Sequence, residues 1–238
     1  MTRPPERIRA VVFDAVGTLI RMEPSPADVY AEFAARFGSR LDADEIRRRF
    51  GVAFAAQEHI DAERRHRTDE ERELERWQQI VGEVIDDCGD QQGLFQALYD
   101  HFAMPSAWRC DPDASRVLAS LKHRGFVVGM ASNFDHRLRP IAAGLPDLAG
   151  LDRLWVSSEI GWKKPAGGFF HEVSRTLEME SGHILFVGDD MVNDYTGASK
   201  AGMPALLLDP RGRSGLSDQG RIGRLTELLT LDLLVSPG

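Results

Sequence analysis

Several residues that can do chemistry follow directly on short apolar runs. Asp14 ends the run Ala10-Val-Val-Phe13, and Ser132-Asn133 follows Phe126 to Ala131. Gly188-Asp189-Asp190, with Asn193-Asp194 close behind, follows His183 to Val187. Lys164, with Pro165 after it, lies in the loop beyond a weaker run, Arg153 to Ser157. This set suits chemistry on a phosphoryl group. Asp14, Asp189 and Asp194 could hold a hard, oxygen-loving cation such as Mg²⁺, which takes one or two protein carboxylates and fills its shell with water and substrate oxygens. Ser132 and Lys164 could bind the equatorial phosphoryl oxygens, where charge sits in the transition state, and Asp14 could be the nucleophile.

These residues converge only if the apolar runs are neighbouring strands of one sheet. Residues 8–13 read as a strand buried on both faces, because β-branched and aromatic residues run continuously instead of alternating. Residues 126–131, 183–187 and 204–208 read alike. Helical spacing marks 113–124, 135–143, 168–177, 191–201 and 222–234. Strands alternating with helices indicate βαβ crossovers and a parallel sheet, whose ligands bind beyond the carboxyl ends of the strands. A lone Asp, Ser or Asn at such a place is ordinarily a cap or turn former; the convergence of all of them carries the argument.

Residues 23–105 break the rhythm. They hold no convincing strand and several helical patterns, beginning at 27–37 and 42–54. The stretch Glu58 to Trp77, dense in Glu, Asp and Arg, reads as a solvated helix face with many i to i+4 pairs. The expected organisation is an α/β core from residues 1–22 and 106–238, a doubly wound parallel Rossmann-like sheet, interrupted by a helical domain over 23–105.

Composition narrows the partners. The 238 residues are 42% apolar, enough for an ordinary core. The net charge of -8, from 37 acidic against 29 basic residues, offers no field for nucleic acid or an anionic membrane. A small-molecule partner is the remaining expectation, with the chain a monomer or homodimer. Cys88 and Cys110 lack metal or disulfide spacing, no apolar run approaches the roughly 18 residues of a membrane span, and the first residues lack a leader's apolar segment. A cytoplasmic protein is expected. Zinc-protease, serine-hydrolase and P-loop signatures are missing. The glycines at 212, 215, 220 and 223 form no dinucleotide fingerprint. Trp77, Trp108, Trp155 and Trp162 fit core, interface or pocket, with core expected for at least two.

Taken together, Asp14-Ala-Val-Gly-Thr18, Ser132-Asn133, Lys164-Pro165 and Gly188-Asp189 through Asp194 resemble, in order, the four motifs of the haloacid dehalogenase superfamily. The helical insertion is similar to that family's cap, and the stretch between Ser132 and Lys163 is too short for its larger cap type. The resemblance implies Asp14 as nucleophile and Mg²⁺ ligand, Val16 as a ligand through its backbone carbonyl, Ser132, Asn133 and Lys164 as phosphate binders, and Asp189 and Asp194 at the metal. The proline after Lys164 selects it over Lys163.

Val16 departs from the pattern. Phosphatases of the family usually carry a second Asp there, which protonates the leaving group and later activates water. A valine cannot move a proton, and positioned acid–base catalysis is worth about 10² to 10⁴-fold. Three readings therefore stand: a phosphohydrolase whose leaving group departs unaided, a phosphate- and Mg²⁺-binding protein with little turnover, and a 2-haloacid dehalogenase. The dehalogenase motif is similar, but that chemistry needs no metal, and such enzymes lack the acidic fourth motif. A related carbon–phosphorus hydrolase relies on a cap lysine, and residues 21–105 contain none.

Overall fold

The computed structural model describes residues 7–217 and 219–234. Strand β1 (Ala10–Phe13) is followed by a short β2 (Ile20–Met22) and then four helices: α1 (Pro26–Arg36), α2 (Ala43–Glu63), α3 (Glu70–Val84) and α4 (Gln91–Ala103). The chain returns through β3 (Trp108–Cys110) to α5 (Ala114–His123), β4 (Val127–Ser132), α6 (Leu138–Ala143), β5 (Arg153–Val156), α7 (Ser157–Ile160) and α8 (Gly167–Leu177). Next come β6 (Ile184–Gly188), a π-helical turn over Met191–Thr196, α9 (Gly197–Lys200), β7 (Ala205–Leu208) and β8 (Arg221–Ile222).

Six strands make one parallel sheet in the order β5-β4-β1-β6-β7-β8. The continuous apolar runs are explained by burial on both faces. Val11 and Phe13 of β1, with Leu185 and Val187 of β6, pack on one side with α5 and α6. Ala10 and Val12, with Ile184 and Phe186, pack on the other with α8 and α9. The winding runs from β1 to β4 and β5 on one side, then to β6, β7 and β8 on the other. Strand order reverses beside β1, so the ligand crevice expected of such a sheet opens at its carboxyl end, where Asp14 stands.

Helices α1 to α4 build a separate apolar core around Tyr30, Ile46, Ile80, Leu94 and Leu98. Their starts are coded locally. Ser25, Asp42, Asp69 and Asp90 each accept a backbone N–H of the first turn, and Glu70, Glu71 and Glu73 complement the helix dipole of α3. The antiparallel pair β2 and β3 forms the neck between the two halves.

Three sequence readings need correction. The stretch Glu58 to Trp77 is solvated only in part: α2 ends within it, α3 begins, and Asp61, Arg72, Glu73 and Arg76 are buried while Glu63, Arg64, Glu71 and Glu75 stay exposed. Asp61 binds Lys163 Nζ at 2.6 Å and Arg72 at 2.7 Å, a set of charges between cap and core. Residues 191–201 are not one α-helix, because both Asp194 and Tyr195 bond back to the Asp190 carbonyl and widen the first turn. Residues 222–234 begin in the edge strand β8 and continue as 3₁₀ turns. Of the four tryptophans, Trp108 and Trp155 are core; Trp162 lies under the Arg67 guanidinium at 3.5 Å.

Candidate active site

Asp14 leaves β1 with its backbone N–H donated to the Val187 carbonyl, which fixes it beside the end of β6. The chain then turns sharply, with Leu19 and Ile20 both bonding back to the Ala15 carbonyl. Gly17 makes this turn possible. Its φ of +98° is strained for any side chain, and a Cβ there would lie 2.2 Å from Asp189 Oδ2. Thr18 Oγ1 donates to the other Asp189 oxygen at 3.4 Å.

Lys164 reaches the same point from the loop between α7 and α8. Its Nζ donates to Asp14 Oδ1 at 2.6 Å, Asp194 Oδ1 at 2.6 Å and the Ala131 carbonyl at 3.1 Å. Asn133 sets that loop. Its amide receives Lys164 N–H at 2.7 Å and donates to the Lys164 carbonyl at 2.9 Å, so its side chain positions the lysine. Ser132 ends β4 and lines the same crevice. Lys163, one residue earlier, points away into the cap.

The fourth strand end is organised by Asp190, whose carboxylate caps the π-helical turn through the Val192 and Asn193 N–H groups. Asp190 N–H in turn donates to Asp194 Oδ2 at 3.0 Å, fixing Asp194 against Gly188. A Cβ at Gly188 would meet that carboxylate at 2.2 Å.

Oxygens of Asp14, Asp189 and Asp194 all lie within 4.8 Å of one another. Burial pushes the Asp14 carboxyl up to about 7, with the Asp194 and Asp189 charges adding to it and Lys164 opposing. Asp189 is raised to about 6, by desolvation of its carboxylate and then by Asp194. For Lys164, burial disfavours the charge, but Asp14 and Asp194 outweigh it and hold the ammonium firmly protonated. The anions thus repel across a gap that one lysine only partly neutralises. This donor set, all oxygen and short of positive charge, fits a hard divalent cation. Val16, half-buried, lines the crevice, and its side chain carries no group that can give or take a proton.

A second acidic group, Glu70, Asp135 and His136, is spent on structure. Asp135 is bidentate to Arg137 at 2.9 and 2.7 Å, and Glu70 of the cap accepts the His136 backbone N–H at 3.0 Å.

The family model for haloacid dehalogenase-like hydrolases matches residues 8–202. The chain belongs to this family. The human haloacid dehalogenase-like hydrolase domain-containing protein 3 is 28% identical over 242 residues, spanning 96% of this chain and 95% of its own length. Among solved structures, a dehalogenase with an intermediate complex is similar at a TM-score of 0.72 and 18% identity, covering 98% of this chain and 99% of its own. The HAD phosphatase from Thermococcus onnurineus reaches 0.64 at 22% identity, covering 94% and 97%. At these identities the two structures share the fold of this haloacid dehalogenase-like hydrolase.

Thr18 and Asp190 fall within the sequence motifs, Thr18 in the turn beneath Asp14 and Asp190 among the carboxylates after His183 to Val187, but their bonds to Asp189 and to the π-helical turn are visible only in the structure. One group of site residues escaped sequence reasoning. The cap side chains facing the crevice, Phe54 above all, had a faint signal in the i, i+4 pair Phe50 and Phe54, which sequence alone cannot tell from a core stripe. Among the described residues no helix is long and apolar enough to cross a membrane.

Proposed function

We propose that this hydrolase is a Mg²⁺-dependent phosphohydrolase acting on a small phosphorylated molecule. The observation that carries the reading is the cluster of Asp14, Asp189 and Asp194 about the Lys164 ammonium. Asp14, Asp189 and Asp194, with the Val16 carbonyl, would hold the cation, which when bound supplies charge neutralisation for the phosphoryl oxygens. Lys164 keeps Asp14 Oδ1 engaged, leaving Oδ2 to attack phosphorus in line with the departing oxygen. Ser132 and Lys164 bind the equatorial oxygens. Asn133, assigned above to substrate, lines the crevice and also fixes Lys164. Water then attacks the aspartyl-phosphate at phosphorus, releasing phosphate and restoring the Asp14 carboxylate.

Val16 favours a second reading, a 2-haloacid dehalogenase, because a departing halide needs no proton. The retained acidic cluster speaks for the metal-dependent reading. The test compares phenyl phosphate with an alkyl phosphate, with and without Mg²⁺, alongside 2-chloropropionate. Mg²⁺-dependent phosphate release, faster for the aryl ester and lost in Asp14→Asn, is expected. Metal-independent halide release without phosphate release would overturn the reading.

A further inference from the structure

The polar crevice opens into a larger cavity between the cap helices and the sheet edge. Val16, Phe54, Asn133, Asp190 and Asn193 line both spaces, so a molecule whose phosphoryl group meets Asp14 extends past Val16 into this chamber. Its volume is about 350 Å³. An apolar cavity of roughly 150 Å³ already accepts benzene, so this one admits a bicyclic ring system.

The walls are aromatic. Tyr30 of α1 meets Phe50 of α2 edge-on at 5.6 Å, Phe50 stacks with Phe54 at 5.9 Å, and Trp77 of α3 lies 6.5 Å from Phe50. Leu98 of α4 and Trp108 of the neck line the chamber too. The basic side chains that reach the walls are matched in charge by carboxylates, with Arg76 Nε left without a hydrogen bond. Lys163 is paired with Asp61 at 2.6 Å, Arg76 pairs with Glu58, and Arg137 binds Asp135 at 2.7 Å while lying 3.6 Å over the Tyr99 ring. A second phosphate or carboxylate at the far end of a substrate would lose its water without gaining a cation, whereas an uncharged ring would lose only apolar hydration.

Resting on the phosphohydrolase reading, we infer that this chamber is the leaving-group subsite, and that its substrates are phosphates of apolar, aromatic groups joined through an oxygen that leaves as a stabilised anion, an aryl or aroyl phosphate. Two independent features point the same way. The chamber selects the apolar body, and Val16, at the junction, selects a leaving oxygen that needs no proton. The Asp14 oxygen forms the new bond to phosphorus while the bond to the leaving oxygen breaks, its electron pair departing as phenolate or carboxylate. Water then attacks phosphorus, frees hydrogen phosphate and gives its remaining proton to solvent.

The test uses acyl phosphates of similar leaving-group basicity and different size, acetyl phosphate and 2-naphthoyl phosphate, with Mg²⁺ and with Asp14→Asn as the blank. Binding of uncharged 2-naphthol, read by tryptophan fluorescence and calorimetry, needs no turnover. The inference expects kcat/KM for the naphthoyl compound at least about tenfold above the acetyl compound, since even one methylene in an apolar pocket is worth about 10 to 200-fold. It also expects one naphthol site per chain and a collapse of the kcat/KM ratio in Leu98→Trp, which fills the chamber. A ratio near one with no naphthol bound, while acetyl phosphate is turned over through Asp14, overturns the subsite and leaves the phosphohydrolase reading standing. Naphthol bound at one site, with no Asp14-dependent phosphate release from either compound, upholds the apolar site and overturns the phosphohydrolase reading. If Leu98→Trp fails to fold, the wild-type ratio and the naphthol stoichiometry decide alone.

Discussion

Lys163 and Lys164 are chain neighbours whose side chains enter different halves of the molecule: Lys163 Nζ lies 2.6 Å from Asp61 in the cap, and Lys164 Nζ lies 2.6 Å from Asp14 at the sheet edge. One short loop therefore ties the cap helices to the position of Asp14. It also ties two buried charge clusters together, and each can be broken separately.

Replacing Lys164 with Met removes the partner of two buried carboxylates. Breaking one side of a buried ion pair costs about 3 to 5 kcal/mol, and part of it is recovered here because Asp14 takes up a proton. Urea denaturation without metal should show a loss of a few kcal/mol, and aryl phosphate turnover should fall by about 10² or more.

Asp61→Asn attacks the other cluster. Burial alone would raise the Asp61 pKa, but Lys163, Arg72 and Arg76 outweigh it and hold the carboxyl below its ordinary value of 3.8. Its folded pKa is depressed, so its stabilising contribution is complete above the unfolded pKa and is lost as pH falls through the folded one. The stability gap between wild type and Asp61→Asn in urea should be about 3 to 5 kcal/mol at pH 7 and shrink steadily below about pH 4. A gap independent of pH would show that Asp61 contributes by shape and not by charge.

Asp14 and Asp189 titrate in the opposite sense. With folded values near 7 and 6, they bind protons in the native state that the unfolded chain has released, so without metal their contribution to stability falls as pH rises from about 4 to 7. Mg²⁺ needs them deprotonated. Thermal melts should show a larger Mg²⁺-induced rise in Tm at pH 8 than at pH 5. Equal shifts at both would place the cation elsewhere.

Much of this site was legible in the sequence, because strand ends are a local pattern: Asp14, Ser132, Asp189 and Asp194 stand at or just beyond the ends of buried runs, Lys164 lies farther along after a weaker one, and a doubly wound sheet brings such ends to one edge. The Glu58 to Trp77 segment was misread for the converse reason. An acidic and basic helix looks solvated until its partner is known, and Lys163 stands 102 positions from Asp61. The strands β2 and β3, three residues each, are too short to show a period. The chamber walls come from four helices, the neck and the loops at the sheet edge, so only their packing reveals that Phe54 and Trp77 face a cavity.

Val16→Asp restores a proton donor at the edge of the crevice. Hydrolysis of alkyl phosphates should rise by about 10²-fold or more, with aryl phosphates changed far less, as steady-state kinetics on both esters would show. No gain on the alkyl ester would mean that more than a proton donor is missing.

Attack of an Asp14 oxygen on phosphorus, the step proposed for this site, leaves a trappable aspartyl-phosphate. Quenching the wild-type protein with borohydride during turnover of phenyl phosphate and Mg²⁺ reduces an aspartyl-phosphate to homoserine, which peptide mass spectrometry locates. Homoserine at position 14, lost when Mg²⁺ is omitted, is the predicted result; an unmodified Asp14 together with undiminished phosphate release by Asp14→Asn would contradict it.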